Sequence, residues 1–103
     1  MTDSIDTKTK IDVKEDLKEP NMFKLIYLND NKTSMDFVIE TLVGIFDYSP
    51  ITAEKLTIDI HEEGSAVVAV LPYELAEQKG IEVTVSARAN GYPLQVKLEE
   101  DIT

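Results

Sequence analysis

The stretch KLIYLNDNKTSMDFVIE, residues 24–40, passes from an apolar run through a polar loop into an amphipathic pattern. The run Met22–Leu28 favours a β-strand. Three consecutive Asn/Asp side chains then favour a loop, in which they provide several hydrogen-bond acceptors. Apolar residues next recur at helical spacing from Met35 to Phe46, which predicts a helix. We expect Thr33 to be its N-cap, with Asp36 completing a capping box.

The sequence after this helix predicts a second helix from about residue 50 to residue 61. Ser49-Pro50 is a typical helix start, and Gly64 is a typical stop. Its expected buried stripe consists of Ala53, Leu56 and Ile60. Residues 65–71 are apolar with little alternation, which predicts a strand in the centre of its sheet.

The remaining segment begins with Pro72, which we expect to open another helix, and contains one ambiguity. Residues 81–85 alternate like a strand, whereas Ala76, Gly80, Val83 and Ala87 share one helical face, and the period alone leaves both open. A last short strand is expected at residues 94–98. The predicted order is β-α-α-β-α-β, with no internal repeat and no linker inside the body.

Length and composition predict a single domain. The chain has 103 residues, of which 43% are hydrophobic, so it can form one core. Residues 1–20 are charged and polar, without sustained periodicity, and are expected to be a mobile N-terminal tail. That tail contains four isolated apolar residues, Ile5, Ile11, Val13 and Leu17.

The charge of the chain restricts its partners. The formal net charge is −10; six acids and four lysines in residues 1–20 supply −2, and fourteen acids and six bases in the rest supply −8. So acidic a surface repels phosphates, which argues against nucleic-acid binding and favours cationic ligands. Keeping the protein in solution is an equally good explanation of the charge.

Several classes of protein are disfavoured by what the sequence lacks. There is no Cys, which excludes disulfides and a thiol nucleophile. No run approaches the length of a membrane span, and the first residues do not resemble a secretory signal. A cytoplasmic protein without membrane association is expected. His61 is the single His, and neither a phosphate loop nor a nucleophile elbow is present, so we expect no metal, no cofactor and no catalytic site.

The most informative residues are the loop and helix-start residues together with His61. Several hydrogen-bond acceptors beside an apolar helix face suit an amphipathic cation, such as the α-ammonium group and first side chain of another protein. An ordinary turn and helix cap, with His61 as a helix-end residue, explains the same pattern. These residues are Asn29, Asp30, Asn31, Thr33, Met35 and His61.

The same stretch resembles the ClpS signature, a strand ending in Val-Asn-Asp-Asp followed by Thr-Pro-Met-Glu-Phe-Val. The resemblance continues through residues 53–61, which are similar to a family helix ending in Val-His, and through residues 63–64, 73–79, 87–88 and 91–94. It covers roughly residues 20–99 without an insertion or deletion. A single Asn-Asp loop would be a weak signal, but the ordered series is specific.

The resemblance implies a fold and a function. The fold is α+β, a three-stranded antiparallel sheet packed against three helices, similar to the C-terminal domain of the ribosomal stalk protein. It makes residues 73–90 helical and residues 21–103 a ClpS-like adaptor domain. The function is an adaptor that binds a free N-terminal α-amino group and a bulky first residue (Leu, Phe, Tyr or Trp), and delivers the substrate to a Clp AAA+ unfoldase. A monomer is expected.

The resemblance also implies residue roles. The α-amino group is bound by Asn29, Asp30, Asn31 and His61. The side-chain pocket is lined by Thr33, Met35, Val38, Thr57, Ile60 and Leu94. The N-domain of the unfoldase docks on Glu74 and Lys79, and the tail corresponds to the extension that engages the unfoldase.

Three positions depart from the family pattern. Asn31 replaces an Asp and removes a charge, Thr57 replaces a common Met and shrinks one pocket wall, and Ser34 replaces a Pro. The first two keep an alternative open, in which the domain regulates the unfoldase with weakened or altered recognition of N-terminal residues. An enzyme is the third possibility.

Overall fold

The computed structural model describes residues 21–102 and has the predicted order β-α-α-β-α-β. The predicted tail, residues 1–20, lies outside the described residues. The α+β class and the three-stranded antiparallel sheet packed against three helices are confirmed. The elements are β1 (Met22–Leu28), α1 (Met35–Phe46), α2 (Pro50–Glu63), β2 (Ser65–Pro72), α3 (Tyr73–Ala89) and β3 (Gln95–Glu100).

The sheet has the order β2-β1-β3, so β1 is the central strand. Both neighbours of β1 are antiparallel to it, with Leu28 paired to Ser65 on one side and to Gln95 on the other. The prediction that β2 is central was wrong. β2 is an edge strand. Its register with β1 shifts between Leu25 and Ile26, which breaks the regular alternation, so Val68 is 2% exposed whereas Val67 and Val70 are 43% and 42% exposed.

The helix caps follow from local hydrogen bonds. Ser34, not Thr33, is the N-cap of α1, because its side chain accepts a hydrogen bond from the Phe37 N–H. The predicted capping box of Thr33 and Asp36 was therefore wrong. Ser49 is the N-cap of α2, directly before Pro50, as predicted. Gly64 ends α2 in a left-handed conformation with φ +91°, which a residue with a Cβ adopts only at a cost.

The ambiguous segment is helical, because its buried positions follow the helical period. Ala76, Gly80, Val83 and Ala87 are the buried residues of α3, whereas Ile81 and Val85 are exposed. At Gly80 an added Cβ would lie 3.3 Å from Val96 Cγ2, so the absence of a side chain lets α3 lie close to β3.

The core joins β1 to the helices. Leu25, Tyr27 and Leu42 are fully buried. The Tyr27 hydroxyl and Thr41 Oγ1 are 2.7 Å apart, and Thr41 Oγ1 also donates to the Val38 carbonyl. Burial raises the pKa of Tyr27 well above its usual range, despite that hydrogen bond. This buried contact holds α1 against the central strand, directly beyond the loop that follows it.

Candidate functional site

The loop after β1 is fastened to the end of α2. The Asn29 N–H donates to the Gly64 carbonyl at 2.9 Å, one residue beyond the Leu28–Ser65 strand pair. His61 lies in the last turn of α2. The left-handed Gly64 lets the chain turn directly from α2 into β2, and this turn brings His61 next to the loop of Asn29, Asp30 and Asn31.

Asp30 organises the loop with its side chain. Its Oδ1 accepts hydrogen bonds from the backbone N–H groups of Lys32 (2.8 Å) and Thr33 (2.7 Å), and its Oδ2 accepts one from the Thr33 hydroxyl (2.8 Å). This is an Asx-type turn, in which a carboxylate replaces a backbone acceptor. It also explains why Thr33 is not the helix cap, since its hydroxyl is already engaged.

The same contacts set the charge of Asp30. Partial burial acts to raise the pKa of its carboxyl group, but the hydrogen bonds from Thr33 and Lys32 outweigh it, and the positive charge of Arg88 adds to them. The net effect is a pKa below the usual value. Asp30 therefore keeps its negative charge at the mouth of the site down to acidic pH.

A cavity of about 330 Å³ lies between this loop, α1 and α2. Nine of the ten residues predicted to bind a substrate's first residue line it. The polar side chains are grouped at the loop and at the end of α2, and the apolar ones come from the facing sides of the two helices. The lining residues are Asn29, Asp30, Asn31, Thr33, Met35, Val38, Thr57, Ile60 and His61.

The apolar part of the cavity has a buried floor and an exposed rim. Val38, Thr57 and Ile60 are 6%, 2% and 3% exposed, whereas Met35, the first residue of α1, is 44% exposed at the rim. The Thr57 hydroxyl donates to the Ala53 carbonyl at 2.8 Å. Its proton is therefore committed to the helix backbone and does not point into the cavity.

The polar part offers free acceptors. Within residues 21–102, no side-chain hydrogen bond involves Asn29, Asn31 or His61, so their side chains can bind a ligand. Asp30, with three hydrogen bonds to its own loop, has little remaining capacity to accept. Its contribution to a cationic ligand is mainly its charge.

Three predicted residues lie outside the cavity. Leu94 is not among the lining residues; it is 1% exposed in the core. Glu74 is exposed in the first turn of α3. Lys79 is half-buried, and its Nζ donates to the Ile45 carbonyl at 2.8 Å and lies 3.8 Å from Glu82.

Two structural contacts of the site were not predicted from the sequence. They are the Asp30–Thr33 hydrogen bonds and the Asn29–Gly64 backbone hydrogen bond. The first has a local signal, an Asp three residues before a Thr in a polar loop. The second has none, because it depends on how β1 and β2 pair.

No group of three or more His, Cys, Asp or Glu residues in the described part of the chain is arranged to hold a metal ion. Among the same residues, no helix is both long and apolar enough to cross a membrane.

Comparison with known proteins gives concordant matches. Residues 18–97 match the family model described as ATP-dependent Clp protease adaptor protein ClpS. An adapter protein ClpS from Clostridium acetobutylicum is 41% identical over 87 residues, which cover 84% of this chain and 86% of the relative. One from Oleidesulfovibrio alaskensis is 41% identical over 98 residues, covering 93% and 94%.

A solved structure shares the fold. Agrobacterium tumefaciens ClpS2, bound to L-phenylalaninamide, matches with a TM-score of 0.79 and 34% sequence identity. The match covers 81% of this chain and all of that one.

The fold is a small α+β domain, and a cavity that is polar at one end and apolar at the other lies at one end of its central strand. These features are those of a binding domain of the adaptor type. The chain belongs to the ClpS family of ATP-dependent Clp protease adaptor proteins.

Proposed function

We propose that the cavity binds the free α-amino group and the large apolar first side chain of a substrate protein, which the domain then delivers to a Clp AAA+ unfoldase. The observation that carries this proposal is the division of the cavity into acceptor side chains at one end and an apolar floor at the other. A protein N-terminus that begins with Leu, Phe, Tyr or Trp has the same two parts.

The polar end suits an ammonium group. An α-ammonium offers three N–H donors, and the amide oxygens of Asn29 and Asn31 and the neutral imidazole of His61 can each accept one. Asp30 adds a negative charge whose low pKa keeps it ionised. An acetylated N-terminus has neither the charge nor the three donors, so this end of the cavity selects a free N-terminus.

The apolar end suits a large apolar side chain. Val38 and Ile60 are fixed by their burial, whereas Met35 has a long unbranched side chain that can adapt to different ring shapes. Since the Thr57 hydroxyl donates to Ala53, this wall presents a methyl group and an acceptor oxygen rather than a donor.

The ligand of the A. tumefaciens relative supports the proposal. L-phenylalaninamide carries a free α-amino group and a benzyl side chain, and its uncharged carboxamide stands in for the first peptide bond of a substrate. It therefore contains the features that the two ends of the cavity would recognise.

Fluorescence anisotropy with labelled peptides that differ only at residue one tests the proposal. We expect peptides beginning with Phe, Leu, Tyr or Trp to bind, and those beginning with Ala or with acetyl-Phe not to bind. Asn29→Ala and His61→Ala should each weaken binding by about 1–3 kcal/mol, or roughly 5- to 150-fold, because ammonium donors lose their acceptors. Asp59→Ala is the matched control, since Asp59 is exposed on α2 and does not line the cavity.

The comparison of the free peptide with the acetylated peptide decides whether the cavity recognises the α-amino group. Equal affinity for the free and the acetylated peptide would overturn the recognition of the α-amino group. No binding of any peptide by the parent protein would favour a regulator of the unfoldase that lacks recognition of N-terminal residues.

A further inference from the structure

A second apolar surface lies away from the proposed peptide site. A groove of about 280 Å³ runs between α3 and β3 and shares no residue with the first cavity. Ile81 and Val85 are 57% and 62% exposed beside it, which leaves two large apolar side chains of one helix face partly in water. The groove is lined by Glu77, Gly80, Ile81, Thr84, Val85, Val96 and Leu98.

This groove is bounded by an open sheet edge. β3 pairs with β1 alone, and no other strand within residues 21–102 pairs with it. Alternate N–H and C=O groups of β3 therefore face away from the sheet. An extended segment can add to such an edge through its backbone and place every second side chain against the helix beside it.

We propose that residues 11–17 of this chain dock in the α3–β3 groove as an extended segment along the outer edge of β3. The chain enters the fold beside the end of β3, because the Asn21 side chain donates to Glu100 and the Asp101 N–H donates to the Met22 carbonyl at 2.8 Å. From β1 to a position outside β3 is about 10 Å, two strand spacings. Residues 18–21 can span about 13 Å when extended.

The sequence of the segment fits the groove in pattern and length. Ile11, Val13 and Leu17 fall on one side of an extended chain, with Glu15 the one polar residue between them. Seven extended residues are about as long as β3, which has six. Running back from Met22 along the edge, the segment would be parallel to β3.

Charge favours this occupant over a second copy of the chain. Residues 11–17 carry three acids and one lysine, a net charge of −2, against −8 for residues 21–103. Two complete chains would bring −10 against −10, which is repulsive. The tether to β1 also raises the local concentration of the segment without any partner.

Paramagnetic relaxation in the 103-residue chain tests the docking. The chain has no Cys, so Asp12→Cys carries a single nitroxide label on the side of the segment that faces away from the groove. We expect strong broadening of the Ile81 and Val85 methyl signals and of the β3 amide signals. The methyl signal of Ile51, which is 73% exposed on α2, is the control and should stay sharp.

Variants separate docking from chance proximity. Adding Ile11→Asp and Val13→Asp to the labelled chain should restore sharp Ile81 and Val85 signals, whereas adding Ile5→Asp should not. Val85→Asp, at an exposed position, should restore sharp β3 amide signals with an unchanged circular dichroism spectrum. These variants leave the residues of the first cavity intact, so failure here would not affect the proposed peptide binding.

Two results would overturn the docking. One is broadening spread evenly over the surface, including Ile51, or unchanged by Ile11→Asp with Val13→Asp. The other is equal broadening in a mixture of isotope-labelled parent and separately spin-labelled chains, which would identify a second copy as the occupant.

Discussion

Asp30 stands at the mouth of the cavity, yet its carboxylate oxygens mainly hold the loop. Three hydrogen bonds from Lys32 and Thr33 fold the loop over the start of α1. Asn29, Asn31 and His61 are left to contact a ligand directly. We therefore infer a division of labour in which Asp30 sets the shape and charge of the site, and its neighbours make the hydrogen bonds.

Asp30→Asn should lower stability in a pH-dependent way. The folded-state pKa of Asp30 lies below its ordinary value of 3.8, so its contribution is complete above that value and disappears as pH falls through the folded-state pKa. Because the loop is partly exposed, we expect a loss of about 1 kcal/mol near pH 7. Urea unfolding of parent and variant at neutral pH and near pH 2 measures it; a difference that persists at pH 2 would contradict the assignment.

Substitutions at Thr57 test whether the small size of this side chain limits the affinity for peptides. Thr57→Val removes the hydroxyl and keeps the shape, and peptide affinity should change less than about twofold, because that hydroxyl donates only to Ala53. Thr57→Met should tighten binding of Phe and Leu peptides by about 1 kcal/mol for each ~40 Å² of added contact. Weaker binding by Thr57→Met, measured by anisotropy, would indicate that the extra room accommodates a larger residue such as Trp.

At the scale of elements, the junction of α2 and β2 determines where His61 lies relative to the loop. Gly64→Ala should lower the free energy of unfolding by about 1–2 kcal/mol, because φ is +91° and nothing lies within 4 Å of the added Cβ. Gly44→Ala is the matched control: it lies inside α1 with equally open space and should raise stability by about 0.5–1 kcal/mol. Chemical denaturation measures both, and equal effects would show that the backbone conformation is not the cause.

The local sequence pattern predicted some helices and strands better than others. β1 and α1 were predicted well because a strong strand run meets a strong helical period. The edge position of β2 was not predicted, because sheet order depends on pairing between distant residues and the shift in register with β1 interrupts the alternation of β2. Thr33 was predicted to be the cap of α1, but Asp30 engages its hydroxyl and Ser34 caps the helix instead.

The candidate site residues were selected by the family resemblance, which carries positions that periodicity does not; their binding roles stay a prediction. The resemblance selected nine residues, from the loop after β1 and from α1 and α2, that the structure brings to one cavity. Leu94 was placed in the lining and is instead in the core. The groove beside Ile81 and Val85 was not predicted, because exposed apolar residues on a helix have no signature of their own.

For the whole molecule, the proposed substrate and unfoldase contacts lie at opposite ends. The cavity follows the end of β1, whereas α3 begins beside its start, where Met22 pairs with Pro72. Seven residues of strand separate these ends by about 20 Å. A partner can therefore dock near Glu74 without covering the cavity.

Glu74→Ala and Lys79→Ala should distinguish an effect on docking to the unfoldase from an effect on the stability of the domain. We expect both to impair delivery of a Phe-initiated reporter to the Clp protease while peptide affinity stays within about twofold of the parent. Lys79→Ala should also lower stability by about 1 kcal/mol, because its ammonium caps the end of α1 at the Ile45 carbonyl. Thermal unfolding and reporter degradation measure the two effects; normal degradation by Glu74→Ala would exclude it from docking.

Every residue that lines the cavity lies between Asn29 and His61, in one uninterrupted stretch of chain. Under the proposed function, the first side chain of a substrate would therefore contact one continuous segment, while β2, α3 and β3 lie outside that segment. A change of first-residue preference would then need no coordinated substitutions in distant parts of the sequence. The stretch from residue 29 to residue 61 is therefore the natural unit for grafting the specificity of one family member onto the body of another.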